Sequence, residues 1–128
     1  MKPLIAAALA IVLTAFAAVS PAAEIPYNHT QFDALRAAGK PVAVVLHADW
    51  CPTCRAQAPV LRELAVSPEF MGITLFVADF DTEKALKQEL RITQQSTIVV
   101  FKDGKETARS TGETRPQGLR ELLRHALS

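Results

Sequence analysis

The chain holds two cysteines, Cys51 and Cys54, inside the stretch HADWCPTCRAQAP at positions 47–59. Two thiols separated by two residues can exchange with a disulfide, supply half of a tetrahedral thiolate metal site, or close a staple. A staple gains stability with the length of the loop it closes, and two intervening residues constrain very little. The pair is therefore read as redox-active or metal-binding. His47, four residues before Cys51, is the candidate third ligand, although a lone histidine at a strand end more often fills space. His29 and His125 fall in helical segments away from the pair and read as surface residues.

The flanking pattern says what positions the thiols. PVAVVLHA (41–48) is a nearly continuous apolar run with β-branched residues, which suits a central strand covered on both faces. PTCRAQAPVLRELAV (52–66) has helical spacing, with Pro52 at its start and Pro59 inside, where a kink is expected. The cysteines thus sit where a strand ends and a helix begins. Unpaired N–H groups and the positive end of the helix dipole converge there and favour a thiolate.

Around this junction the periodicity predicts a helix over 29–39, opened by Asn28 or Thr30 and stopped by Gly39. It predicts a buried strand over 72–80 and a helix over 82–90 opened by Asp81 or Thr82. A hairpin over 96–111 should turn at Asp103-Gly104, and an amphipathic helix over 115–127 should carry Pro116 near its first position. The sum is one α/β domain over 23–128, a mixed sheet with helices on both faces.

Residues 1–22 stand apart. Lys2 precedes the apolar run LIAAALAIVLTAFAAV (4–19), and SPAAE offers small residues for cleavage after Ala22 or Ala23. This is the pattern of a secretory signal peptide, with an uncleaved membrane anchor as the alternative. Sixteen Ala-rich residues fall short of the roughly 20 a spanning helix needs. Export, to the periplasm by expectation, would place the thiols where disulfides are permitted. The chain has 14 Lys+Arg and 13 Asp+Glu; removing Lys2 leaves 13 of each, and no basic stripe points to nucleic acid.

WCPTC after a buried strand, Pro59 five residues beyond Cys54, and TIVVFKDGKE followed by Gly112 and an amphipathic last helix resemble the thioredoxin family. The resemblance covers residues 25–127 and implies the thioredoxin fold. It implies that Cys51 attacks a target disulfide and that Cys54 resolves the mixed disulfide, with no cofactor. The position of Cys51 at the exposed start of the helix favours the same assignment, with Cys54 a turn further in and more buried. Trp50, Pro52, Thr53, Gln95, Ser96, Thr97 and Gly112 would border the substrate. Protein disulfides would be the substrates and an integral-membrane thiol protein the electron donor. A reductant is expected, because no inserted helical domain is present to grip unfolded chains, and a monomer is expected with it.

Three positions depart from the family pattern. Ser96 stands where the family has a cis-proline, Val45 where it has a buried acid, and spacing puts Asp79 where it has the lysine that pairs with that acid. A cis bond before a non-proline residue costs about 2.5–4 kcal/mol, so Gln95–Ser96 is expected to be trans. Ser96 would then offer its hydroxyl to the sulfurs or to the substrate. The site would also be more open and better able to take a metal, and a metal-binding or metal-delivery protein is the competing reading. Asp79 becomes the candidate proton acceptor for Cys54.

Overall fold

The computed structural model describes Pro3, residues 10–14 and residues 24–127. The expected leader at 1–22 and its cleavage point fall for the most part outside these residues. Among the described residues no helix is long and apolar enough to cross a membrane.

Among the described residues five strands and four α-helices follow in the order β1 (Glu24–Pro26), α1 (His29–Ala37), β2 (Val42–His47), α2 (Pro52–Ala65), β3 (Thr74–Asp79), α3 (Lys84–Leu90), β4 (Thr97–Lys102), β5 (Lys105–Thr111) and α4 (Pro116–Arg124). They form one sheet in the order β1-β3-β2-β4-β5. β1 and β2 run parallel to β3, whereas β4 runs antiparallel to β2 and to β5. This is the mixed sheet expected from the sequence, with one strand more.

β2 lies at the centre because its residues can be buried on both sides. Ala43 and Val45 face a core built with Leu61 and Leu64 of α2 and Leu119 and Leu123 of α4. Val42, Val44 and Leu46 face the opposite core, with Phe32 of α1 and Leu86 and Leu90 of α3. Phe32 meets Phe76 and Phe101 edge-on, each at 5.6 Å between centroids, a geometry aromatic rings prefer.

Local chemistry explains the element ends. The Asn28 side chain accepts from the Gln31 N–H and caps α1. Asp103 (φ 54°) and Gly104 (φ 79°) give the β4–β5 hairpin two successive left-handed residues, the turn that suits a twisted ribbon. Pro116 opens α4, where a missing N–H costs nothing.

Two expectations need correction. β1 was not foreseen: it has three residues, and its pairing with β3 is decided by tertiary contact. α3 begins at Lys84 with Glu83 at its cap position, later than an opening at Asp81 or Thr82, because the Asp79 carboxylate accepts the Asp81 N–H and holds 79–81 in a turn.

Candidate active site

β2 ends at His47, a turn over Ala48–Trp50 follows, and the Cys51 N–H closes it on the Ala48 carbonyl at 3.1 Å. Cys51 is the N-cap of α2. Its backbone is extended (φ −87°, ψ 118°), and its Sγ accepts from the Cys54 N–H at 3.2 Å. A sulfur thus takes the position usually held by a serine or aspartate oxygen, where a helix start rewards negative charge. Pro59 has no N–H and interrupts the hydrogen-bond ladder further along α2.

Both thiols are free and buried, Cys51 at 2% and Cys54 at 0% exposure. The openness expected from the missing proline is therefore not found: Ser96 covers the pair. Its Oγ lies 3.0 Å from Cys54 Sγ and 3.4 Å from Cys51 Sγ. The described residues contain no cis peptide bond, so Gln95–Ser96 is trans.

Ser96 has a left-handed backbone (φ 63°), which costs a non-glycine residue about 1–2 kcal/mol. Three hydrogen bonds hold it there. Its N–H donates to Leu46 at 2.8 Å, and its carbonyl accepts from the Gly112 N–H at 3.1 Å and from Gln57 Nε2 at 3.3 Å. Gln57, 1% exposed, also donates to the Glu113 carbonyl at 2.9 Å.

The two sulfurs are electrostatically unequal. Burial works against ionisation of Cys51. Hydrogen bonding from the Cys54 and Ser96 side chains and from the Cys54 and Thr53 N–H groups outweighs it, and the pKa falls to about 7. Burial, then the neighbouring Cys51, pushes the Cys54 thiol up. Cys51 is therefore the sulfur that ionises as the pH passes neutrality, about half of it at pH 7, while Cys54 keeps its proton.

Beside Cys51 a groove of about 430 Å³ is lined by Cys51, Thr53, Gln94, Gln95, Ser96, Thr111 and Gly112. It gathers Thr53, Gln95, Ser96 and Gly112 of the substrate-bordering residues expected from sequence, and adds Gln94 and Thr111. Thr97 is 3% exposed, and its hydroxyl is engaged by the Gln94 carbonyl and Thr111 Oγ1, both at 2.8 Å. It shapes the groove without lining it. Pro52 is exposed, and Trp50 is 57% exposed, its Nε1 donating to Asp81 Oδ2 at 2.8 Å.

A match to the thioredoxin family model extends over residues 24–125. The chain belongs to the thioredoxin family. It is 31% identical to thioredoxin H5 of Arabidopsis thaliana over 86 residues, covering 67% of this chain and 71% of that one. To the thioredoxin of Chlamydia trachomatis it is 32% identical over 82 residues, 64% and 78% of the two chains. The crystal structure of Trxlp from Edwardsiella tarda superimposes with a TM-score of 0.74 at 41% identity, covering 78% of this chain and 96% of the other. These relatives and the adjacent cysteines make the protein a thioredoxin-type thiol–disulfide oxidoreductase.

The family's acid and lysine positions come out differently from the spacing argument. Val45 pairs with Val77 across β2–β3, and Asp79 lies two residues on, opposite His47. The residue across from Val45, where the family has its acid, is thus Val77 and not Asp79. Asp79 is exposed, and its Oδ1 accepts the Asp81 N–H, so it is a turn-forming group and not the carboxylate behind Cys54. A different carboxylate shares the space: Glu24 of β1 borders a cavity of about 90 Å³ with Val45, Val77, His47, Gln57 and Arg62, and its buried Oε2 has no hydrogen-bond partner.

His47 Nε2 is 2.9 Å from Asp49 Oδ1. Among the described residues, the set of three groups close enough to hold a metal ion is His29, Asp33 and Glu89, not the cysteines with His47.

Proposed function

We propose that this thioredoxin is exported and reduces disulfide bonds in other proteins, with Cys51 as nucleophile and Cys54 as resolving thiol. The observation that carries the reading is the unequal pair: a thiolate-forming Cys51 capping α2 beside a groove, and a protonated Cys54 one turn behind it. The Cys51 thiolate attacks one sulfur of the target disulfide, forming a mixed disulfide and releasing the other sulfur as a thiolate. Cys54 loses its proton and attacks Cys51 Sγ. The Cys51–Cys54 disulfide forms, the bond to the substrate breaks, and the substrate leaves with two thiols. Two electrons pass from the protein to the substrate, and a thiol donor must return them.

The apolar run at 4–19 and the small residues after it support export, and with export an integral-membrane thiol protein as that donor. That residues 24–125 carry no inserted helical domain supports a reductant, and in this reading the protein acts as a monomer. The test is reduction of insulin disulfides by the purified domain, together with equilibration against a glutathione or dithiothreitol redox buffer. Turnover abolished by Cys51→Ser, with a potential near the thioredoxin value of about −270 mV, supports the reading. A potential near the roughly −120 mV of strong oxidants reverses the direction of flow.

A further inference from the structure

The resolving step needs somewhere for the Cys54 proton to go. Val45 stands where the resemblance expects an acid, Val77 lies across from it, and Asp79 is exposed and engaged in a turn. What does touch the Cys54 sulfur is the Ser96 hydroxyl, at 3.0 Å, and the same oxygen lies 3.4 Å from Cys51 Sγ. A hydroxyl has one proton to give and lone pairs to receive. It cannot donate to both sulfurs together, but it can accept the S–H of Cys54 while donating outward.

Ser96 is only 2% exposed, yet it is one of the residues that wall the groove. Ser96 lines the groove beside Cys51 and so borders the place where a sulfur bonded to Cys51 must lie. The hydrogen bonds with Leu46, Gly112 and Gln57 fix its backbone on both sides of the side chain. The strained φ of 63° is therefore maintained at a residue that both touches the buried thiol and lines the groove.

The geometry points to Ser96 as a catalytic proton relay for the resolving step, a role that rests on the redox reading above. Ser96 Oγ accepts the Cys54 proton as Cys54 Sγ bonds to Cys51 Sγ. In the same step its own hydroxyl proton passes to the departing substrate sulfur as the Cys51–substrate bond breaks. Two sulfurs become a disulfide, one substrate sulfur becomes a thiol, and Ser96 ends as it began, with one proton.

A relay of this kind matters only for a leaving group that needs a proton. An aryl thiol of low pKa departs as a thiolate, whereas an alkyl thiol such as glutathione gains from protonation. Mixed disulfides of Cys51 with thionitrobenzoate and with glutathione would be formed at acid pH, then jumped to neutral pH, and thiol release followed. Ser96→Gly removes the hydroxyl and suits the left-handed backbone; Ser96→Ala is the second variant. We expect Ser96→Gly to slow glutathione release about a hundredfold, the lower end for a positioned proton-transfer group. Thionitrobenzoate release should change by less than about threefold.

Equal slowing with both leaving groups would mean that Ser96 only shapes the site, and no slowing with either would remove the role. Glu24→Gln is the decisive comparison, because its unpartnered carboxylate is the competing acceptor. Leaving-group-dependent slowing in Glu24→Gln and not in Ser96→Gly overturns the relay. A wild-type protein that releases neither thiol counts against the redox reading itself.

Discussion

The acidity of Cys51 is open to direct measurement. Its pKa of about 7 leaves roughly half the thiol ionised near neutral pH, against roughly 1% at the ordinary value of 9.0. That is a gain of about fiftyfold in thiolate. A less basic thiolate is also a weaker nucleophile: with a Brønsted slope of about 0.4–0.5, the drop in basicity returns roughly six- to tenfold. The net advantage at neutral pH is then about five- to eightfold. Alkylation of the reduced protein with iodoacetamide, read by mass spectrometry site by site, should rise with pH and level off just above a midpoint of about 7 at Cys51. Cys54 should stay unmodified over that range. The Cys54 side chain is the largest of the groups that lower the Cys51 value, so Cys54→Ala should move the midpoint upward and remove most of the neutral-pH advantage. A rate that climbs without a plateau into the ordinary thiol range would refute the reasoning. So would a midpoint that Cys54→Ala leaves in place, because the hydrogen bond would then not be its cause.

The reduction potential should fall with pH by about 59 mV per unit below pH 7, where two protons accompany two electrons. Above it the slope should halve to about 30 mV, since Cys51 is then already a thiolate and Cys54 still carries its proton; redox-buffer titrations across the break measure this. Ser96→Pro should lose about 3 kcal/mol or more in urea unfolding, because proline cannot adopt φ 63° and lacks the N–H that donates to Leu46; full retained stability would show that the loop re-forms another way. Gly104→Ala should cost about 1–2 kcal/mol, since its φ is 79° and a Cβ there would lie 3.1 Å from the Arg36 carbonyl oxygen; an unchanged midpoint would contradict the turn geometry. Asp79→Ala should lower stability by about 0.5–1.5 kcal/mol through the lost turn bond and leave insulin reduction at the wild-type rate; a slowed reaction would restore Asp79 to the chemistry.

Much of this architecture is written in short-range signals. The strand-to-helix junction at the cysteines, the Asp103-Gly104 turn and the Pro116 start each depend on a few adjacent residues, and each is found where those residues stand. What sequence could not supply depends on partners far along the chain. β1 exists because residues 24–26 lie against 75–77. The partner of Val45 is Val77, two residues before the Asp79 that spacing suggests, because VAVVLH and TLFVAD are apolar on both faces and such strands carry little alternation to mark their frame. Gln57 was overlooked, yet a signal exists: a polar residue three after Cys54 and four before Leu61 falls on the buried face of the helix. A polar side chain there must find partners, and the Ser96 and Glu113 carbonyls are those it finds. The serine itself was noticed, but its closure over both sulfurs follows from a left-handed backbone that no local pattern announces.

The outermost strands of the sheet bear on how such a molecule keeps company. An unpaired strand edge is a template on which another chain can polymerise. Here one edge is β1, three residues long and ended by Pro26, and the other is β5, which carries Lys105, Glu106 and Arg109. Neither invites a foreign strand to add itself. For the protein-disulfide reductant proposed above, such borders would keep the backbone of a substrate from pairing with the sheet. On that proposal the hold on a substrate would be confined to a single sulfur–sulfur bond, which the exchange itself dissolves, so that capture and release become two halves of one reaction.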